Sequence, residues 1–172
     1  AAPAVGGQAV SDTLRAFAAL GVTAGTRTLG ALDTAAWRVA PELEAPGVAD
    51  TLRAFACFGK APADATLEAL EAALWRTAPA MKAREVADAL WALATLDEGT
   101  ALSTLYILEA AAARVAGAMD ARAAADTLVA YAALGRSPPL AVLSAAARLS
   151  GQELRPRSVG FRGVAAEDDV YR

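Results

Sequence analysis

An eight-residue string recurs along the chain at a fixed spacing of 38 residues, and this recurrence constrains the fold more than any other feature. Residues 10–17 read VSDTLRAF, and the same string returns as VADTLRAF at 48, VADALWAL at 86 and AADTLVAY at 124. Each copy carries an aspartate at its third position, namely Asp12, Asp50, Asp88 and Asp126. Four copies in register, with no insertion between them, indicate one repeated structural unit.

The repeated unit begins with an amphipathic helix. Val48, Leu52 and Phe55 are spaced i, i+4, i+7 and therefore share one face of a helix of about twelve residues. We expect Leu52 and Phe55 to be buried between neighbouring units. In three of the four units a glycine follows the last apolar residue of this helix, at a position where glycine commonly ends a helix. These glycines are Gly21, Gly59 and Gly135, and Asp97 stands at this position in the third unit.

A second helix completes the unit. It runs through Leu67, Leu70 and Leu74, and the prolines at 41 and 79 are expected to end it in the first two units. Trp37 and Trp75 occupy equivalent positions near its end, and they are predicted to be core anchors. Cys57, on the first helix, is predicted to be a small packing residue.

One pair of helices of this size cannot bury its apolar face alone, so neighbouring pairs must stack. The sequence predicts an all-α fold, an α-solenoid of about four 38-residue helical hairpins. The helical-repeat array covers residues 1–150, with repeats starting near 10, 48, 86 and 124 and with residues 1–9 as the end of a preceding repeat. Alanine at 49 of 172 positions favours helix. We expect the chain to belong to a longer array or to rest its ends on partners.

Residues 151–172 break this periodicity. Gly151, Pro156, Gly160 and Gly163 interrupt any helix, and three arginines lie among them. We expect an irregular C-terminal tail, which is either a solvated end or an extended arm on a partner surface. In the second case the partner contacts are predicted for Arg155, Arg157 and Arg162.

Composition excludes several kinds of chemistry. The chain has no histidine and one cysteine, which excludes a Ser-His-Asp triad, a Cys-His dyad and a disulfide within the chain. No cluster of residues suggests catalysis or a metal site, so we expect a protein that is not an enzyme, with no cofactor and no small-molecule substrate. No apolar run approaches the ~18 to 20 residues that cross a bilayer, and no membrane span is expected. The net charge of −3 does not by itself indicate nucleic acid.

The candidate binding residues are those that vary while their neighbours recur. Arg15, Arg53 and Trp91 occupy one position on successive first helices, so they are predicted to form a ladder along a single surface. Arginine pairs with phosphate or stacks on a base, and tryptophan offers a stacking surface. The aspartate three residues before each rung has a structural interpretation, because a carboxylate in the first turn is favoured by the helix dipole.

A second group of candidates lies late in the second helices. Arg38 and Arg76 follow the two tryptophans, and Arg114 continues their series in the third unit. Cations are favoured at helix C-termini, so a structural role is the first interpretation of these arginines. A charged edge that contacts RNA is the alternative interpretation.

Residues 86–96, VADALWALATL, resemble the sequence pattern of octotricopeptide repeats, the 38-residue helical-pair repeats of green-algal organelle proteins. The resemblance extends over residues 1 to about 150. It implies binding of organellar RNA, with roles in transcript stabilisation, splicing or translation, and the family includes members built into mitochondrial ribosomes. The implied location is the mitochondrion, or alternatively the chloroplast, and the implied partners are rRNA or an organellar transcript and the neighbouring proteins of a large assembly.

Two classes of function follow. The first is an organellar RNA-binding repeat protein, such as a structural component of a mitochondrial ribosome that stabilises rRNA. The second is a protein-binding, armadillo-like scaffold in a large complex, which fits the acidic net charge. The two differ in salt dependence, because phosphate contacts weaken steeply with salt and an apolar protein groove does not.

Overall fold

The described part of the chain is entirely helical. The computed structural model describes residues 6–21, 25–96 and 100–151, and within these ranges it contains eight α-helices and no strand. The helices are α1 (Gly7–Ala19), α2 (Thr26–Val39), α3 (Ala45–Phe58), α4 (Asp64–Thr77), α5 (Ala83–Leu96), α6 (Leu102–Val115), α7 (Ala121–Ala133) and α8 (Leu140–Leu149). The predicted all-α class is confirmed. None of these described helices is both long and apolar enough to span a membrane.

The helices keep the 38-residue spacing. The odd-numbered helices begin at residues 7, 45, 83 and 121, which is three residues before the starts predicted from the recurring string. Pro46 is accommodated in the first turn of α3, where a proline costs no helical hydrogen bond. The recurring aspartates therefore lie in the second turn of their helices. The interpretation that the N-terminal dipole holds them is wrong, because that effect is confined to the first turn.

Helix ends follow the predicted signals. Gly59 ends α3 in the left-handed conformation, with φ 62°, and Gly21 and Gly135 adopt the same conformation after α1 and α7. Asp97, at the equivalent position in the third unit, lies outside the described residues. α2 and α4 end at Val39 and Thr77, and each continues into a short 3₁₀ turn that contains Pro41 or Pro79.

Packing between units connects helices of the same kind. α1 contacts α3, α3 contacts α5 and α5 contacts α7, while α2, α4, α6 and α8 contact one another in the same sequence. Leu52 and Phe55 are buried in this core, as predicted. Trp37 and Trp75 are not core anchors, because each is about half exposed. Trp75 directly follows the buried Leu74, and one residue turns its side chain about 100° away from the apolar face.

Candidate nucleic-acid interface

One face of the odd-numbered helices carries most of the candidate residues, and we call it the first-helix face. Residues spaced i, i+4, i+7 and i+11 share a face of a helix, and the contacts between successive odd helices bring four such rows side by side. The rows are Gln8, Asp12, Arg15 and Ala19 on α1; Pro46, Asp50, Arg53 and Cys57 on α3; Arg84, Asp88, Trp91 and Thr95 on α5; and Arg122, Asp126, Val129 and Ala133 on α7.

Arginines on this face pair with aspartates of the following unit. Arg15 lies 2.9 Å from Asp12 on its own helix, and its Nε atom lies 3.6 Å from Asp50 on α3. Arg53 forms a hydrogen-bonded ion pair with Asp88 on α5. The arginines at the first two ladder positions therefore cross-link consecutive units. These pairs, and not the helix dipole, explain the aspartates at 50 and 88.

The guanidinium group of Arg53 also lies over the indole ring of Trp91, 4.9 Å from the ring centroid. A cation at this distance from an aromatic face is attracted by the ring quadrupole. Arg53 is thus engaged both by a carboxylate and by the tryptophan of the next ladder position. Arg53 covers one side of the Trp91 ring, so a nucleic-acid base would have to stack on the rest of the indole.

Two further arginines on the first-helix face were not among the residues predicted from the sequence. Arg84 Nε lies 3.4 Å from Asp88, and Arg122 Nε lies 3.7 Å from Asp126. Both pairs are spaced i, i+4, and the two arginines are 38 residues apart. That spacing is the signal in the sequence that identifies them.

Three of the four arginine side chains on this face are more exposed than any of its four aspartates, and Arg53, about one-quarter exposed, is the exception. The side chains of Arg15, Arg84 and Arg122 are more than half exposed, whereas those of Asp50, Asp88 and Asp126 are less than one-third exposed. Burial raises the pKa of the Asp50 carboxyl, and Arg15 only partly offsets this effect. On Asp12, hydrogen bonds from Gln8 and then Arg15 lower the pKa. The face therefore presents cations to solvent above partly covered anions.

A cavity of about 430 Å³ opens on this face between α1, α3 and α5. Arg15, Arg53 and Arg84 line it together with Asp50 and Asp88. Cys57 also lines it and is exposed, so the prediction that this cysteine is a packing residue is wrong.

The second-helix arginines hold neighbouring units together. Arg76 donates hydrogen bonds to the carbonyl oxygens of Leu43, at 2.7 Å, and Ala40, at 3.4 Å. Arg114 repeats this arrangement with Met81 and Ala78. For Arg38, the equivalent carbonyl groups belong to residues 2 and 5, which lie outside the described residues. Arg76 and Arg114 thus donate hydrogen bonds to carbonyl groups that lie just after the second helix of the preceding unit and lack a partner within that helix.

The tail arginines Arg155, Arg157 and Arg162 also lie outside the described residues. Among the residues that the structure does describe, no cluster of side chains is suited to hold a metal ion. No protein-family model matches this chain, and no curated protein matches it. The arrangement of its side chains is therefore the basis for a functional inference.

Proposed function

We propose that the chain forms an α-solenoid of four helical hairpins that binds single-stranded RNA along its first-helix face. The contacts of odd helices with odd helices and of even helices with even helices support the solenoid. A stack in which each unit rests on its neighbours presents the same helix face once per unit. Such a surface suits a linear polymer, whose repeating backbone meets equivalent positions in turn.

The observation that carries RNA binding is the exposed layer of guanidinium groups above recessed carboxylates. Arg15, Arg84 and Arg122 are held in place by aspartates but keep more than half of their side-chain surface exposed. Guanidinium groups held in this way offer planar donors to phosphate oxygens. Four arginines and four aspartates on this face leave it formally neutral, so we expect moderate affinity for single-stranded RNA and weaker binding to polyanions that lack bases.

The biological setting is part of the proposal. The resemblance of residues 86–96 to octotricopeptide repeats supports an organellar RNA, in the mitochondrion or alternatively the chloroplast. A structural place in a mitochondrial ribosome, in contact with rRNA and neighbouring proteins, fits a surface that holds RNA without reading many bases.

The experiment measures binding to poly(U) by fluorescence anisotropy over a series of salt concentrations. In the double variant Arg15→Ala/Arg122→Ala, affinity falls and the slope of log K against log salt flattens by up to about 2, roughly one unit per phosphate contact. Arg53 is left in place because its loss would remove the ion pair of the buried Asp88 carboxylate with the preceding unit and leave the longer contact with Arg84. The control is Arg27→Ala/Arg148→Ala, which removes two exposed arginines from second helices and leaves the slope unchanged.

Two results contradict the proposal. A parent chain that does not bind poly(U) at low salt argues against RNA binding as such. Equal affinity and equal slope in the parent and the Arg15→Ala/Arg122→Ala variant would place any RNA on another surface.

A protein-binding scaffold is the second candidate function, and the exposure of Trp37 and Trp75 favours it. These large side chains lie one unit apart on α2 and α4, which contact each other. Exposed tryptophans are enriched at protein interfaces. A partner held there is expected to bind with little salt dependence. The double variant Trp37→Ala/Trp75→Ala is expected to weaken the binding of that partner and to leave the salt dependence of RNA binding unchanged.

A further inference from the structure

Each odd-numbered helix has two packing faces, a forward face that packs against the next unit and a rear face that packs against the preceding unit. The forward face looks toward the next unit, and its residues Ser11, Ala49 and Ala87 are buried, whereas their equivalent Ala125 on α7 is exposed. The rear face looks toward the preceding unit, and its residues Ala54, Ala92 and Ala130 are buried, whereas Ala16 on α1 is exposed. One copy of each face is thus uncovered, at opposite ends of the described array.

The forward face of one helix packs directly on the rear face of the next. Gly47 lies on the rear face of α3, two turns before Ala54, and a β-carbon placed on it would lie 3.6 Å from the Ser11 hydroxyl of α1. The small residues at these positions let the helices approach closely. α3 also contacts α5, and α5 contacts α7. Small buried residues recur on the facing sides of these helices at Ala49, Ala87, Ala92 and Ala130, although Glu85 stands at the position of Gly47 on α5.

The uncovered forward face forms an apolar groove of about 480 Å³ between α7 and α8. Ala124, Ala125 and Leu128 line it from α7, and Leu143 and Ala146 line it from α8. Ala125 is exposed and Leu128 is half-buried, whereas their equivalents on α5, Ala87 and Leu90, are buried. The groove is therefore the same joint without its partner helix.

The surface that fills this joint is present on the same molecule. Ala9, Thr13 and Ala16 are exposed on the rear face of α1, while their equivalents on α3, Gly47, Thr51 and Ala54, are buried. Leu20, at the end of that row, is three-quarters exposed. The two uncovered ends therefore carry the two halves of an interface that the chain already forms three times.

We propose that a second copy of this chain docks the rear face of its α1 into the α7–α8 groove, head to tail. This contact goes beyond RNA binding and does not depend on it. The interface is heterologous, so each added copy exposes a new groove and assembly continues. Val129 occupies the ladder position of Arg15 and Arg53, so the joint lacks the arginine–aspartate pair between units. Its affinity is expected to be insensitive to salt.

The test measures the mass of the full chain over a range of concentrations by light scattering after size exclusion. The parent is expected to grow in mass with concentration at both low and high salt. Ala125→Glu blocks the groove, Ala16→Glu blocks the rear face, and each variant alone remains monomeric. A mixture of the two single variants stops at a 1:1 dimer, because one intact groove and one intact rear face remain. Ala141→Glu, an exposed change on α8 outside the groove, assembles like the parent, because the equivalent residues Arg27, Ala65 and Ser103 stay exposed in the other units.

Three outcomes would overturn the proposal. A parent chain that is monomeric at every concentration lacks the contact. Assembly that survives both Ala125→Glu and Ala16→Glu uses a different surface. A monomeric parent that assembles once residues 152–172 are removed would show that the chain's own C-terminal segment fills the groove.

Discussion

The ion pair between Arg53 and Asp88 is expected to be a main stabilising link between the second and third units, and replacement of Asp88 by Asn tests this. The Asp88 side chain is only 9% exposed, and it accepts hydrogen bonds from Arg53 on α3 and from Arg84 on its own helix. Asn has the same shape but carries no charge. The change therefore removes the anion while the packing around it stays the same.

The magnitude follows from the exposure of each partner. Removing one member of a fully buried pair costs about 3 to 5 kcal/mol, but Arg53 is about one-quarter exposed and keeps its contact with the Trp91 ring. Arg84 is about half exposed, and an i, i+4 pair of this kind contributes roughly 0.3 to 0.5 kcal/mol. We therefore expect Asp88→Asn to lower the free energy of unfolding by about 2 to 3 kcal/mol. For a domain of this size, that corresponds to a decrease in Tm of roughly 5 to 10 °C.

Urea unfolding followed by far-UV circular dichroism measures this loss. Asp126→Asn is the matched control, since Asp126 lies at the same position of the fourth unit and its one ion-pair partner among the described residues is the exposed Arg122, so it should cost less than about 0.5 kcal/mol. The double variant Arg53→Met/Asp88→Asn should recover part of the loss, because it also removes the partly buried guanidinium of Arg53, whereas Arg84 is half exposed and solvated. The reasoning is refuted if Asp88→Asn costs no more than Asp126→Asn.

Two further substitutions test a buried hydroxyl on α7 and a link between second helices. Tyr131→Phe should be neutral or raise the free energy of unfolding by up to about 1 kcal/mol, since the buried hydroxyl has no hydrogen-bond partner among the described residues. Burial, and then Glu109, raises the pKa of Tyr131 to about 12, so the parent loses stability as the pH rises from about 10 toward 12 and the Phe variant loses less; a pH series of urea titrations shows this difference. Arg114→Ala should cost about 1 to 2 kcal/mol in the same titration, because two carbonyl groups lose a charged donor. Arg38→Ala, which has no described partner, should cost less, and equal losses would contradict this role for Arg114.

The repeat spacing was sufficient to predict the helices and the residues that share a row. An array without insertions keeps every position in register, so Leu52 and Phe55 could be placed in the core from their spacing alone. The first residue of each helix was harder to predict from the sequence. Pro46 lies in the first turn of α3, where proline is favoured, whereas a start at the recurring string places the aspartates one turn too early.

The partner of each charged side chain could not be predicted from the sequence. Arg53 is three residues after Asp50 and 35 residues before Asp88, and spacing alone favours the nearer carboxylate. In the structure it pairs with Asp88 because the packing of α3 on α5 brings that carboxylate beneath the guanidinium group. The exposure of Trp37 and Trp75 is a similar case, because an aromatic residue one position beyond a buried leucine lies at the edge of the apolar face.

A second recurring carboxylate, at positions 33, 71 and 109, shows how the array adjusts when one unit lacks a backbone N–H donor. Asp33 accepts a hydrogen bond from the backbone N–H of Ala63, and Glu71 accepts one from Ala101, so each second helix caps the start of the next. The equivalent donor for Glu109 would be residue 139, which is a proline and has no N–H. Glu109 instead accepts a hydrogen bond from Arg136 at 3.1 Å, and that guanidinium also lies over the Tyr106 ring, 5.0 Å from its centroid. The link between units is retained although its donor has changed, which indicates that the carboxylate at this position serves the joint between hairpins and not a ligand.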